Sequence, residues 1–97
     1  MTVDDQELLR IAPPSSVDAE RSVLGAVLQD AGVAAYLFET LAPDDFYASE
    51  QREIFDAMRT LNIAGSPIDV MTVGNELTRR GTLAGVGGTA YLLAAYR

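Results

Sequence analysis

Apolar residues recur at intervals of three, four and seven along several segments of the chain, which is the pattern of helices that bury one face. The first segment predicts a helix over about residues 17–30, with Ser15 or Ser16 as its N-cap. We expect Gly32 to end this helix. We also expect Gly25 to mark the close approach of another helix, since glycine inside a helix costs about 1 kcal/mol relative to alanine.

The helical pattern continues to the end of the chain. Residues 33–41 form a second apolar segment. Ser49 is placed to cap a third helix, and the carboxylate of Asp69 is placed to cap a fourth. Gly81 is the expected left-handed stop of the fourth helix, and a fifth helix begins at Thr89. No strand pattern competes with these assignments.

These elements predict an all-α fold, a small orthogonal bundle of about five helices. Residues 1–14 are expected to form a flexible tail that ends at a pair of prolines, and residues 15–97 the helical globular head. Since the last helix runs to Arg97 without a cap, we expect the chain to be a fragment of a longer one. The residues expected to be buried are Leu24, Leu28, Phe46, Ile54, Phe55, Met58, Leu77 and Leu92.

The turn over residues 42–47 contains two adjacent acids followed by two aromatic residues. Phe46 and Tyr47 are both expected to anchor the turn in the core. One interpretation of Asp44 and Asp45, together with Asp18 and Glu20, is a carboxylate pair for hydrolysis or a cation site. Both acidic clusters lie where a helix begins, so capping is the favoured interpretation.

The amino-acid composition excludes most catalytic chemistry. The 97 residues contain no Lys, His or Cys, and all seven cations are arginine. The chain therefore has no P-loop lysine, no imidazole acid or base, and no zinc or thiolate site. We expect this segment to have no catalytic residue, no cofactor site and no metal site.

The charge is unevenly distributed. Residues 1–50 carry ten acids and two arginines, whereas residues 51–97 carry four acids and five arginines. Arg79 and Arg80 are the only adjacent cations, too few for the basic patch that a duplex-binding module needs, so direct nucleic-acid binding is not expected. The acidic half is either a surface for a protein partner or simply a solvated face. No apolar run of about 20 residues and no signal peptide is present, so a cytoplasmic protein with no membrane contact is expected.

Two patterns could suggest ligand binding. Residues 85–90 (GVGGTA) match a permissive dinucleotide-binding pattern, but no strand precedes them, so a turn before the last helix is favoured. The tyrosines could stack on single-stranded nucleic acid, but they lack interleaved basic residues, so packing is the favoured role. Tyr91 and Tyr96 remain candidates for contact with a partner.

Five motifs, in order, resemble the N-terminal domain of the bacterial replicative DNA helicase, the DnaB-type hexameric helicase. They are DAERSVLG (18–25), LAPDDFY (41–47), IFDAM (54–58), GSPID (65–69) and GGTAYL (87–92). The chain departs from the family pattern at Gln51, where a histidine is usual, and at Arg21, where glutamine is common.

This resemblance implies a non-catalytic helical head, normally followed by a helical hairpin, a linker and a RecA-like ATPase domain that holds ATP and Mg. It implies self-association, as dimer pairs within a hexameric collar, and docking of primase or a helicase loader. Tyr91 matches the tyrosine of the last motif and is the first candidate for partner binding, with Tyr96 and Arg97 behind it. The alternative is a free-standing adaptor or inhibitor of the same fold that binds helicase or primase.

Overall fold

The computed structural model describes residues 17–96, with the side chains of residues 17, 89, 91, 94 and 95 excepted. The predicted tail over residues 1–14 lies outside the described residues. The described part contains five α-helices, two 3-10 turns and no strand, so the all-helical prediction is confirmed. The elements, in chain order, are α1 (Val17–Gln29), α2 (Ala31–Thr40), a first 3-10 turn (Pro43–Asp45), α3 (Ser49–Ile63), α4 (Val70–Arg80), a second 3-10 turn (Ala84–Val86) and α5 (Gly88–Tyr96).

Helix α4 begins and ends where its local sequence indicates. The Asp69 carboxylate accepts a hydrogen bond from the Thr72 N–H at 2.8 Å, and the Thr72 hydroxyl accepts one from the Asp69 N–H at 2.9 Å. This reciprocal pair is a capping box. Gly81 follows the helix with φ of 78°, in the left-handed region that glycine adopts without steric penalty. Both predictions for this helix are confirmed.

The junction of α1 and α2 differs from the prediction. Helix α1 ends at Gln29, and Gly32 lies inside α2 rather than at a helix end. Asp30 caps α2 through its carboxylate, which accepts hydrogen bonds from the N–H groups of Gly32 at 2.8 Å and Val33 at 3.2 Å. A strong N-cap residue therefore restarts the helix two residues before the glycine that the pattern suggested as a stop.

Gly25 does not mark a close contact between helices. A methyl group built on its Cα would meet no atom within 4 Å beyond the adjacent residues and the nearby backbone of its own helix. At Gly74 in α4, a methyl group built in the same way would make an ordinary van der Waals contact with the side chain of Leu92 in α5, at 3.8 Å. The expectation for Gly25 was wrong, because a tolerated glycine in a helix does not by itself require a neighbouring element.

One core joins all five helices. Seven of the eight residues expected to be buried are no more than 1% exposed, and Leu28 is half-buried at the edge of the core. The ring centroids of Phe46 and Phe55 lie 4.9 Å apart, so the turn before α3 is attached to the inner face of that helix. Glu20, Gln51 and Glu76 are polar residues buried beside this core.

Candidate interaction surface

Two glycines with positive φ form the turn that leads into the C-terminal helix. Gly87 and Gly88 have φ of 105° and 79°, and the chain turns through them into α5. Leu92 and Tyr96, four residues apart, lie on one face of α5 and are buried in the core. Leu93, next to Leu92, is 48% exposed. The glycine motif is thus the turn before the last helix, as predicted.

The three residues predicted to bind a partner have different positions. Tyr91 lies in α5, one residue before Leu92, but its side chain is not among those described. Tyr96 is 6% exposed and contributes its ring to the domain's own core. Arg97 lies outside the described residues. In this fold, then, Tyr96 supports the inner face of α5.

A corner of the chain between the first 3-10 turn and α3 is held by a buried carboxylate from α1. The Glu20 side chain is fully buried. One of its oxygens accepts a hydrogen bond from the Tyr47 N–H at 2.7 Å, and the other accepts one from the Ala48 N–H at 3.2 Å. Ala48 is the N-cap residue of α3 and has no side-chain cap of its own. Glu20 therefore caps α3 at an N-cap residue 28 positions further along the chain, in place of the Ser49 cap that was predicted.

The prediction for Tyr47 was wrong, since its side chain is 82% exposed while that of Phe46 is 1% exposed. Phe46 has an extended backbone, with φ of −93° and ψ of 134°. In extended backbone, successive side chains point in opposite directions. Only one of two adjacent aromatic residues can therefore enter the core, and Phe46 occupies that position against Phe55.

The guanidinium of Arg80, at the end of α4, is bound by three carboxylates. It donates hydrogen bonds to Glu76 at 2.7 Å, to Asp56 at 2.8 Å and to Glu53 at 3.1 Å, and one to the Thr60 hydroxyl at 2.7 Å. The Arg80 side chain is 16% exposed. These contacts join α4 to α3, so Arg80 serves the packing of two helices rather than an external phosphate.

This cluster shifts the ionisation of its members. Hydrogen bonds from Arg79 and then Arg80 lower the pKa of Glu76 from 4.5 to about 2, although burial of the carboxylate acts in the opposite direction. Burial lowers the pKa of Arg80, but its hydrogen bonds to the three carboxylates outweigh burial and raise that pKa above its ordinary value. Glu76 and Arg80 are therefore both charged throughout the physiological pH range.

Sequence reasoning missed both the Glu20 cap and the Arg80 cluster. The sequence pattern places Glu20 at the beginning of its own helix and indicates Arg79 and Arg80 only as a basic pair. Both interpretations consider only nearby residues, whereas the observed partners, apart from Glu76, are 20 to 28 residues away. In the part of the chain that the structure describes, no three Asp or Glu residues lie together as a group that could hold a metal ion. No helix in residues 17–96 combines the length and the apolar character needed to traverse a bilayer.

Comparison with known proteins accounts for nearly all of this chain. Residues 12–97 match the family described as "DnaB-like helicase N terminal domain". Over 80 residues, 82% of the chain, it is 40% identical to the replicative DNA helicase DnaC of Bacillus subtilis and 41% identical to the replicative DNA helicase DnaB of Geobacillus stearothermophilus. The matched region is 18% of each of these proteins, so the chain spans less than a fifth of their length.

A solved structure agrees with the sequence comparison. The crystal structure of the N-terminal domain of DnaB helicase from Mycobacterium tuberculosis superposes with a TM-score of 0.80 at 40% identity. The match covers 87% of this chain and 58% of the crystallised one. The family match, the identities and the shared fold agree, and the chain belongs to the DnaB-like helicase N-terminal domain family.

Proposed function

We propose that this chain is the non-catalytic N-terminal domain of a replicative DNA helicase and supports assembly of the hexameric collar. In this role it acts in the cytoplasm during DNA replication, while ATP, Mg and the hydrolysis that drives unwinding belong to an ATPase domain elsewhere in the protein. The observation that carries the proposal is the family match over residues 12–97, together with similarity to replicative helicases several times as long.

The use of acidic side chains supports a non-catalytic role. Asp30, Asp69 and Glu20 each cap a helix, and Glu76 is bound to two arginines. These carboxylates are committed to holding helices in place, and the chain has no imidazole, thiol or amine side chain to act in their stead. The domain's contribution is therefore binding and assembly.

The C-terminal helix is the proposed docking element for primase or a helicase loader. Tyr91 is the first candidate for direct contact, and Arg97 is a second candidate near the end of the helix. Because Tyr96 is buried, its proposed contribution is to fix the orientation of α5 rather than to touch the partner.

Collar assembly is tested with the full-length helicase and a variant that lacks residues 1–97, compared by sedimentation velocity over a range of concentrations. We expect the variant to dissociate from hexamers at a higher protein concentration than the complete protein. Identical dissociation curves would remove the assembly role while leaving the family assignment intact.

Primase docking is tested by titration calorimetry with the full-length helicase. Tyr91→Ala should weaken primase binding by about thirtyfold or more, the range of an aromatic hot spot. Ile63→Ala is the matched control, because Ile63 is 79% exposed at the end of a different helix. Equal affinities for the two variants would show that Tyr91 is not in the docking surface.

The reading frame of the natural transcript after Arg97 distinguishes the helicase domain from the alternative, a free-standing adaptor or inhibitor. A reading frame that continues past Arg97 into a P-loop with lysine supports the helicase assignment. A stop codon immediately after Arg97 would favour the adaptor.

A further inference from the structure

Tyr47 presents an aromatic ring to solvent from a firmly held backbone. Its side chain is 82% exposed, although its N–H is bound by the buried Glu20 carboxylate. Its carbonyl oxygen accepts a hydrogen bond from the Arg52 guanidinium at 3.0 Å. Phe46, the preceding residue, is fixed in the core against Phe55. The backbone beneath the exposed ring is therefore ordered before any partner arrives, which lowers the entropic cost of binding.

The surroundings of this ring are acidic. Tyr47 lies in a shallow, open depression lined by residues 44–50 and 52. This stretch contains three carboxylates and one guanidinium, and Asp44 and Glu50 are exposed. The single cation, Arg52, is directed to the Tyr47 carbonyl. The depression thus combines an apolar aromatic face with a negative rim.

From the exposed ring, its fixed backbone and its acidic rim, we propose that the depression around Tyr47 is a docking site for an arginine-bearing segment of a partner protein. A guanidinium can stack on the tyrosine ring and at the same time pair with a carboxylate of the rim. Tyrosine and arginine are also the residue types that contribute most often to binding hot spots. The site is separate from the proposed α5 docking element, since α5 packs against α1, α4 and the second 3-10 turn.

Charge argues against other occupants. Nucleic acid and anionic lipid would be repelled by Asp44 and Glu50. A second copy of this chain carries the same net charge of −7, and its adjacent arginines, Arg79 and Arg80, are already bound to carboxylates. An external cationic peptide is the occupant whose charge complements the depression.

The test uses chain 1–97 and two synthetic nine-residue peptides, each with three cations separated by Gly and Ala, one peptide with arginine and the other with lysine. Binding is followed by amide and ring chemical shifts in NMR titrations. We expect the arginine peptide to bind more tightly than the lysine peptide and to shift the resonances of Tyr47 and Ala48. Tyr47→Ala should weaken binding of the arginine peptide by about two- to fivefold, the range of an exposed cation–π contact. Tyr47→Phe keeps the aromatic ring and should bind the arginine peptide with the same affinity as the natural chain.

The charge contribution is isolated with a matched pair of neutral substitutions. Asp44→Asn should weaken binding, whereas Asp30→Asn should have a smaller effect. Asp30 is an exposed carboxylate at the junction of α1 and α2, outside the residues that line the depression, and asparagine preserves its capping role. Circular dichroism of each variant establishes that the fold is intact.

Three results would overturn the proposal. They are equal binding of the two peptides, equal effects of Asp44→Asn and Asp30→Asn, and self-association of the chain that Tyr47→Ala abolishes. The last would identify a second copy as the occupant. The first two results do not bear on hexamer assembly, and the third would overturn this proposal while supporting self-association of the domain, so this proposal can fail while the proposed function stands.

Discussion

Removal of the Glu20 carboxylate tests whether this side chain of α1 stabilises the turn before α3. In Glu20→Ala, the N–H groups of Tyr47 and Ala48 lose acceptors that lie 2.7 and 3.2 Å away. A hydrogen bond to a charged group contributes about 1.5–3 kcal/mol. Two such bonds set an upper bound of about 6 kcal/mol, from which the desolvation cost of a buried carboxylate must be subtracted. We expect a net loss of roughly 2–4 kcal/mol, a large part of the stability of a small domain.

The assay is urea unfolding of chain 1–97, followed by circular dichroism at the helix band. Glu39→Ala is the matched control, because Glu39 is an exposed glutamate on α2 and surface substitutions change stability by less than about 0.5 kcal/mol. Glu20→Gln keeps one amide oxygen as an acceptor and should fall between the two. If Glu20→Ala and Glu39→Ala unfold at the same urea concentration with the same slope, Glu20 does not stabilise the turn and the reasoning is refuted.

Three other predictions concern the core and the charged cluster. Because the pKa of Glu76 falls from 4.5 in the unfolded chain to about 2 in the folded one, the unfolded chain binds more protons between these values. The Glu76 carboxylate therefore stabilises the folded domain fully above about pH 4.5, and this stabilisation is lost as the pH falls towards 2. Glu76→Gln should reduce the decline of the urea midpoint over this range, and Glu39→Gln should leave the decline unchanged; equal slopes for both variants would contradict the shift. Gly25→Ala should raise the free energy of unfolding by about 0.5–1 kcal/mol, because the added methyl group meets open space; a lower urea midpoint would show an undetected contact. Leu77→Ala should cost roughly 2–5 kcal/mol by urea titration, and Leu28→Ala clearly less, since Leu77 is fully buried and Leu28 only partly; equal losses would contradict this assignment of the core.

Features determined by neighbouring residues were accessible from the sequence. Asp69 caps α4, Gly81 ends it, and Gly87 and Gly88 turn the chain into α5. In each case the donor, the acceptor or the required φ belongs to residues within a few positions. The periodic spacing of apolar residues predicted which side of each helix is buried for the same reason, because helical geometry relates residues three and four apart. The candidate residue Tyr91 came from a motif, and its role stays a prediction.

Contacts between distant segments were decided only by the tertiary structure. The Glu20 carboxylate lies under the Tyr47 corner because α1 packs beside the start of α3, and Arg80 meets Asp56 because α4 packs along α3. No local spacing encodes these partners, so the sequence places Glu20 at the nearest helix end and leaves Arg80 without an assigned partner. Tyr47 was misassigned because composition does not show which of two adjacent aromatic residues faces the core. The sequence by itself determined the helices, the two ends of α4 and the family resemblance, whereas packing decided which acid is buried as the cap of α3, which arginines are paired and which aromatic ring is left facing solvent.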